Sequence, residues 1–103
     1  MSSIRVRVRY LAPLFKELAG VEEEVIELRG DASLKALLDK VAELHGRQLA
    51  TYIVDESERG TKPTVVILVN GASINRLDYE LRDGDAVDLL MLLDGGAIEA
   101  QST

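Results

Sequence analysis

Few residues in this chain have side chains that could carry chemistry. Its 103 residues include no cysteine and a single histidine, His45. Disulfides, thiol catalysis, thiolate metal sites and iron–sulfur clusters are therefore excluded. His45 has no second candidate ligand close in sequence, so it reads as a surface residue near a helix C-terminus rather than as a general base. The carboxylates Glu22-Glu23-Glu24 form a run, but without thiols or further histidines they do not make a transition-metal site. A solvated entry to a strand explains them more simply. Asp83, Asp85 and Asp88 have some of the density of a calcium loop and lack its remaining ligands, whereas Gly84 in a turn accounts for that segment. No phosphate loop, dinucleotide fingerprint or Ser/His/Asp grouping is present. What remains is backbone chemistry at Gly95-Gly96. Taken alone, Asp94-Gly95-Gly96 is a turn closing a strand. The other reading is a chain end without Cβ atoms, open to close approach by an enzyme.

The elements that must position this end can be read from periodicity. Ile4 to Leu11 alternates apolar and charged residues as a half-buried strand does. Ala12 and Pro13 stop it, and Pro13 can open a short helix in which Leu14, Phe15 and Leu18 face inward and Gly20 ends the turn. Glu23 to Leu28 reads as a second strand with Ile26 and Leu28 buried. Ser33 is a candidate N-cap for the main helix, along which Leu34, Leu37, Leu38, Val41 and Leu44 form one apolar stripe. Lys35, Asp39, Lys40 and Glu43 fall on its wet side, and His45-Gly46 close it.

The segment from Gln48 to Lys62 is polar, with Leu49, Tyr52, Ile53 and Val54 as possible anchors. Thr64 to Val69 is a β-branched run suited to a buried strand. Asn70-Gly71 is a type I′ hairpin signal, followed by a short return strand over Ala72 to Ile74. Leu77 and Leu81 pack a connection, Asp83-Gly84-Asp85 turns the chain, and Ala86 to Leu93 is the last strand. One helix with one apolar stripe covers one face of a mixed sheet. Placing the first and last strands side by side, with the helix between hairpins, gives an α+β fold of the β-grasp type, with four to five strands and one main helix.

Size and charge limit the function classes. The length fits one domain, and 47% hydrophobic with 29% charged residues is an ordinary globular balance. A net charge of −6 argues against a general nucleic-acid binder, which needs a dense cationic surface. Arg5, Arg7 and Arg9 nonetheless share one face of the first strand, opposite Ile4, Val6, Val8 and Tyr10. That stripe reads as a solvated face, with an acidic protein partner as the next reading and RNA a distant third. There is no apolar leader and no apolar run of membrane-spanning length, so the expected setting is cytoplasmic and free of membrane.

Several segments resemble a known family. Residues Val6-Arg7-Val8-Arg9-Tyr10-Leu11-Ala12-Pro13-Leu14-Phe15-Lys16-Glu17-Leu18-Ala19-Gly20 resemble the opening of the molybdopterin-synthase small subunit and related ThiS-type sulfur carriers. Val69-Asn70-Gly71 and Leu81-Arg82-Asp83-Gly84-Asp85-Ala86-Val87 are similar to that family's middle and late motifs. The likeness spans Ile4 to Gly96. The chain also resembles archaeal ubiquitin-like modifiers, which share the fold and the C-terminal diglycine. It departs from the sulfur carriers in two ways. Met91-Leu92-Leu93-Asp94-Gly95-Gly96 lacks their proline-containing approach, and Ala97 to Thr103 continues past the diglycine, as in a ubiquitin-type precursor.

The resemblance implies a division into a β-grasp domain over 1–94, a diglycine at 95–96 and a tail over 97–103 that is removed on maturation. A zinc metallopeptidase would cut between Gly96 and Ala97. An adenylating enzyme would then bring the Gly96 carboxylate in line with the α-phosphate of ATP, and a conjugating enzyme would pass it to target-protein lysines. Gly95 and Gly96 would be the activation and conjugation residues. Catalytic residues, bound cofactor and metal are expected to be absent from this chain, with ATP used by the partner. The alternative is a sulfur carrier with a Gly96 thiocarboxylate serving molybdopterin or tRNA thiolation, paired with the molybdopterin-synthase large subunit. A further alternative is a β-grasp interaction module that is never conjugated.

Partner docking has its own signal. If Val87, Leu89 and Met91 point toward the helix, alternation sends Asp88, Leu90 and Leu92 to the opposite face. Val66 and Leu68 join Leu90 there if Val65, Ile67 and Val69 point inward. An uncovered apolar cluster of this kind suits an enzyme or reader, and ubiquitin-like proteins use this face so. The competing expectation is that the segment from Gln48 to Lys62 folds over the cluster and makes it a second small core.

Overall fold

The computed structural model describes residues 2–54 and 60–92. In chain order the elements are β1 (Ser3–Tyr10), α1 (Pro13–Ala19), β2 (Glu23–Arg29), α2 (Leu34–His45), α3 (Arg47–Ile53), β3 (Val65–Val69), β4 (Ala72–Ser73) and β5 (Ala86–Met91). The strands form one five-stranded sheet in the order β2-β1-β5-β3-β4. The two central strands, β1 and β5, run parallel, and their outer neighbours are antiparallel to them. The fold is the expected β-grasp.

Alternation decides the two faces of the sheet. Val6, Val8, Tyr10, Ile26, Leu28, Val65, Ile67, Val69, Val87 and Leu89 are buried on the inner face, in the phase the sequence pattern requires. They belong to one core with Leu34, Leu37, Leu38 and Val41 of α2. The Ser33 hydroxyl accepts from the Ala36 amide at 3.1 Å and caps α2, replacing a hydrogen bond the first turn lacks. In α1, Phe15 and Ala19 are buried and Leu18 packs against the core, while Leu14 is only half-buried. Gly20 ends this helix at φ 78°, where a Cβ would be strained.

Asn70 and Gly71 have φ 52° and 89° between the paired residues Val69 and Ala72. This is the expected tight hairpin, with both central residues on the positive-φ side. Leu77 and Leu81 are buried, as the connection requires. The last strand ends as such at Met91, and Leu93 lies outside the described residues.

Three sequence expectations are corrected in the helical layer. Leu44 is 52% exposed, because the inward azimuth of the last α2 turn falls to His45, one residue later. Gln48 to Ile53 is helical within α3, entered through Gly46 at φ 102°, with Leu49 and Ile53 buried one turn apart. Tyr52 is 37% exposed and is not a core anchor, since it lies off the axis that joins those two residues. Helix α3 packs on α2 and α1. The described part of the Gln48–Lys62 segment therefore lies with the helices and not over the outer sheet face. Among the described residues, no helix is long and apolar enough to cross a membrane.

Candidate functional site

The last described element is the central strand of the sheet. β5 lies between β1 and β3, with Leu89 opposite both Tyr10 and Ile67. Beyond β1, the Leu11 amide donates to the Leu89 carbonyl at 3.0 Å, and the Leu92 amide donates to the Thr64 carbonyl at 2.7 Å. This end of the described chain is thus held on the β1 side as far as Leu89 and on the β3 side as far as Leu92. Gly95, Gly96 and Ala97, the expected activation and processing positions, lie outside the described residues.

The four expected docking residues do share one face. Leu90 pairs with Val66, and Leu68 sits in the next row opposite Asp88. Alternation places Leu92 on the same side of the chain, one step beyond Leu90. All four are half-buried, and Leu11, beside this end of β5, is 45% exposed. The cluster is joined directly to the strand that leads to the diglycine.

The middle of that face is ionic. Arg9 Nε donates to Asp88 Oδ1 and Arg9 Nη2 to Asp88 Oδ2, each at 2.7 Å. The pair crosses the parallel β1–β5 seam, where the two residues are in register. Asp88 is only 7% exposed, and both of its carboxylate oxygens accept from this one guanidinium. The contact holds the Arg9 guanidinium above its ordinary pKa, through the hydrogen bond first and the charge of Asp88 second.

The other aspartates are occupied as turn fasteners. Asp83 Oδ1 accepts from the Arg5 amide at 2.8 Å. Asp85 Oδ2 accepts from the Arg82 amide and its Oδ1 from Asn70 Nδ2, both at 2.8 Å. Asn70 Oδ1 in turn accepts from the Ala86 amide at 2.9 Å. Gly84, at φ 89°, lets the turn form, and its amide reaches the Arg5 carbonyl at 2.8 Å. These bonds tie the start of β5 to β1 and to the β3–β4 hairpin. Among the described residues, no group of three His, Cys, Asp or Glu is placed to hold a metal ion.

One cluster departs from the sequence reading. Glu24 is not a solvated strand-entry residue, and His45 is not a free surface residue. Glu24 pairs with Val8 and so takes the inner face beside Ile26. Its Oε2 accepts from the Tyr10 hydroxyl at 2.6 Å and lies 2.5 Å from His45 Nε2. Which of the two donates in this contact is set by the histidine tautomer. The His45 and Glu24 side chains are 15% and 23% exposed, and the Tyr10 and His45 rings meet edge to face at 5.9 Å. Burial, and then the bond to Glu24, push the Tyr10 phenol well above its ordinary pKa. The cluster clamps β1, β2 and the end of α2 together. The available signal was alternation: Glu24 has the parity of Ile26 and Leu28.

Comparison with known proteins gives the family. The ThiS family model matches residues 8–96. A Pyrococcus furiosus protein assigned as subunit 1 of a molybdopterin converting factor is 33% identical, with 87% of this chain and 99% of that one covered and a TM-score of 0.71. SAMP1 of Haloferax volcanii is 22% identical over 89% of this chain and 99% of its own, with a TM-score of 0.72, a likeness of fold. CysO of Amycolatopsis orientalis, solved in complex with BexX, is 24% identical over 88% and 99%, with a TM-score of 0.68, again a likeness of fold. A comparison with curated proteins returns no match. With residues 8–96 inside the family model and 33% identity to the Pyrococcus protein over 87% of the chain, this chain belongs to the ThiS family of small β-grasp proteins.

Proposed function

We propose that this chain is the precursor of a ubiquitin-like protein modifier whose working group is the Gly96 carboxylate. The observation that carries the reading is the placement of β5. The central strand of the sheet holds the apolar cluster of Leu90 and Leu92, and its continuation in sequence is Asp94-Gly95-Gly96. Four residues of chain reach at most about 14 Å, so an enzyme seated on Leu90, Leu92, Val66 and Leu68 has the carboxylate within its own active-site distance. Binding on the folded face then positions the reacting end, which is where an adenylating enzyme needs it.

Residues 97–103 keep Gly96 in a peptide bond, so trimming comes first. A zinc metallopeptidase delivers metal-bound hydroxide to the Gly96 carbonyl and releases Ala97 as the new amine. The freed carboxylate attacks the α-phosphate of ATP, pyrophosphate leaves, and an acyl-adenylate forms. A cysteine thiolate of the enzyme displaces AMP to give a thioester, and a target lysine amine displaces the thiolate to give an isopeptide bond. Glycine at 95 and 96 suits each step, because no Cβ obstructs approach to the backbone. ATP, zinc and thiols belong to the partners, and this chain contributes the handle and the carboxylate.

A second reading has its own support. The ThiS family match and the Pyrococcus relative assigned to a molybdopterin converting factor favour a sulfur carrier. There a sulfide-level sulfur nucleophile attacks the Gly96 carbonyl of the acyl-adenylate, AMP leaves, and the product is a Gly96 thiocarboxylate for a molybdopterin-synthase large subunit or a tRNA-thiolating enzyme. The two readings share activation and differ in the acceptor, and residues 97–103 favour the modifier. Intact-mass spectrometry tests the precursor step: incubation with a metallopeptidase from the same organism is expected to leave a chain ending at Gly96. Cleavage at another bond, or an intact chain in the presence of a peptidase active on a related precursor, contradicts it.

A further inference from the structure

The outer sheet face has a second feature beside the apolar cluster, an arginine that makes no ion pair among the described residues. Arg5, Arg7 and Arg9 share that face of β1, but they are not equivalent. Arg9 lies between Glu23 and Asp88 and is bound to Asp88. Arg5 lies opposite Glu27, whose ion pair is with Arg29, and sits two residues further along β1 from the Leu90 row than Arg7 does. Arg7 lies between Val25 and Ala86, with no acidic neighbour across either strand. Among the described residues, Arg7 makes no ion pair and is exposed, and the Val25 beside it is 62% exposed. In a chain of net charge −6, this is a positive point whose direct partners across both neighbouring strands, Val25 and Ala86, are apolar.

We infer that Arg7 is a partner-selecting contact, and that the enzyme docking on this face presents a carboxylate to it. The inference rests on the docking reading above and adds the partner's chemistry. Leu90 is four residues along β5 from Ala86, the register partner of Arg7. At about 3.3 Å per residue the two rows are about 13 Å apart. A standard interface covers about 800 Å² of each partner, a disc of about 16 Å radius, so one centred on Leu90 extends to Arg7. An enzyme surface that covers this guanidinium without an acceptor strips it of water for no return. A surface with an Asp or Glu about 13 Å from its apolar anchor gains a charge-assisted, two-pronged bond instead. Apolar proteins without that acid are rejected at the same position, so one residue supplies both attraction and exclusion.

Because Arg7 lies at the rim of such an interface, its charge acts mainly on encounter. The test uses the full chain and the purified adenylating enzyme of the same organism, with association and dissociation rates measured from low to physiological salt. Arg7→Glu is expected to slow association about tenfold at low salt, to change dissociation little, and to lose most of this deficit as salt screens the charge. Arg7→Gln is expected to show a smaller loss of the same kind, which keeps the test open if the reversal perturbs folding. Leu90→Asp is expected to speed dissociation at every salt concentration. If Leu90→Asp weakens binding while both Arg7 variants stay within twofold of the parent at low salt, docking stands and the acidic partner contact is wrong. If all three variants bind like the parent, both readings fall.

Discussion

The two faces of this sheet come from the same strands and differ by one residue of register. On the inner face, Val6, Val8, Val87 and Leu89 are fully buried beneath the helices. On the outer face their immediate neighbours are Arg7, Arg9, Asp88 and Leu90. The inner face is uniform in chemistry, apart from the Tyr10–Glu24–His45 clamp at its end. The outer face is ordered by rows: Arg7, without an ion pair among the described residues, then the ion pair of Arg9 and Asp88, then apolar side chains at Leu90 and Val66. Burial stabilises the fold through the first, and a graded surface of this kind suits recognition. Separation of the two tasks by alternation lets the last strand β5 serve both at once, since each of its side chains belongs to only one face.

The largest effect expected from this comparison is on the inner side. Leu37→Ala removes a fully buried side chain and should cost about 2–4 kcal/mol in urea titration. Val41→Ala should fall at the low end, because fewer atoms are lost. Leu44→Ala on the same helix, at an exposed position, should stay within about 0.5 kcal/mol. Losses below about 0.5 kcal/mol at both Leu37 and Val41 would remove the packed inner face from the account.

The outer side should show the reverse. Leu90→Asp is expected to leave the urea midpoint nearly unchanged, yet to weaken activation or partner binding at least tenfold, about 1.4 kcal/mol. A mutant that unfolds would make Leu90 part of a second core and move docking elsewhere.

A smaller effect should come from the clamp. The Tyr10 phenol is raised in the folded state, so its contribution is fully present below the unfolded value of about 10. It is lost as pH rises beyond that value, where the unfolded chain releases the proton first. Urea midpoints measured from pH 8 to 11 should fall at the alkaline end, and Tyr10→Phe should flatten that limb. An unchanged limb in the variant would assign the alkaline loss to other groups.

Much of this architecture was legible in residue order, for identifiable reasons. Strict alternation from Ile4 to Tyr10 and from Val65 to Val69 set the faces, and the Asn70-Gly71 pair specified its own turn. Ser33 announced the main helix because its hydroxyl can satisfy a first-turn amide. What was not legible depended on contacts between distant residues. Leu44 has a helical spacing as good as that of its neighbours, and only the position of β2 and Tyr10 gives the last inward place to His45. Within α3 only Leu49 and Ile53 are buried, too few to establish a period. Glu24 looked solvated inside an acidic run, although its parity already matched Ile26. The shared outer face of Leu90, Val66 and Leu68 followed from alternation alone, since parity needs no knowledge of tertiary contacts. The diglycine is read from sequence alone, and the role proposed for it rests on the chemistry of a backbone without Cβ atoms.

That role is tested most directly by ATP–pyrophosphate exchange with the adenylating enzyme of the same organism. Three proteins are compared: the full chain, a version ending at Gly96, and that version with Gly96→Val. The account predicts exchange by the Gly96-terminated protein alone, because the full chain has no free carboxylate there and a β-branched residue crowds the reacting carbonyl. Equal exchange by all three would contradict the claim that the Gly96 carboxylate is the working group.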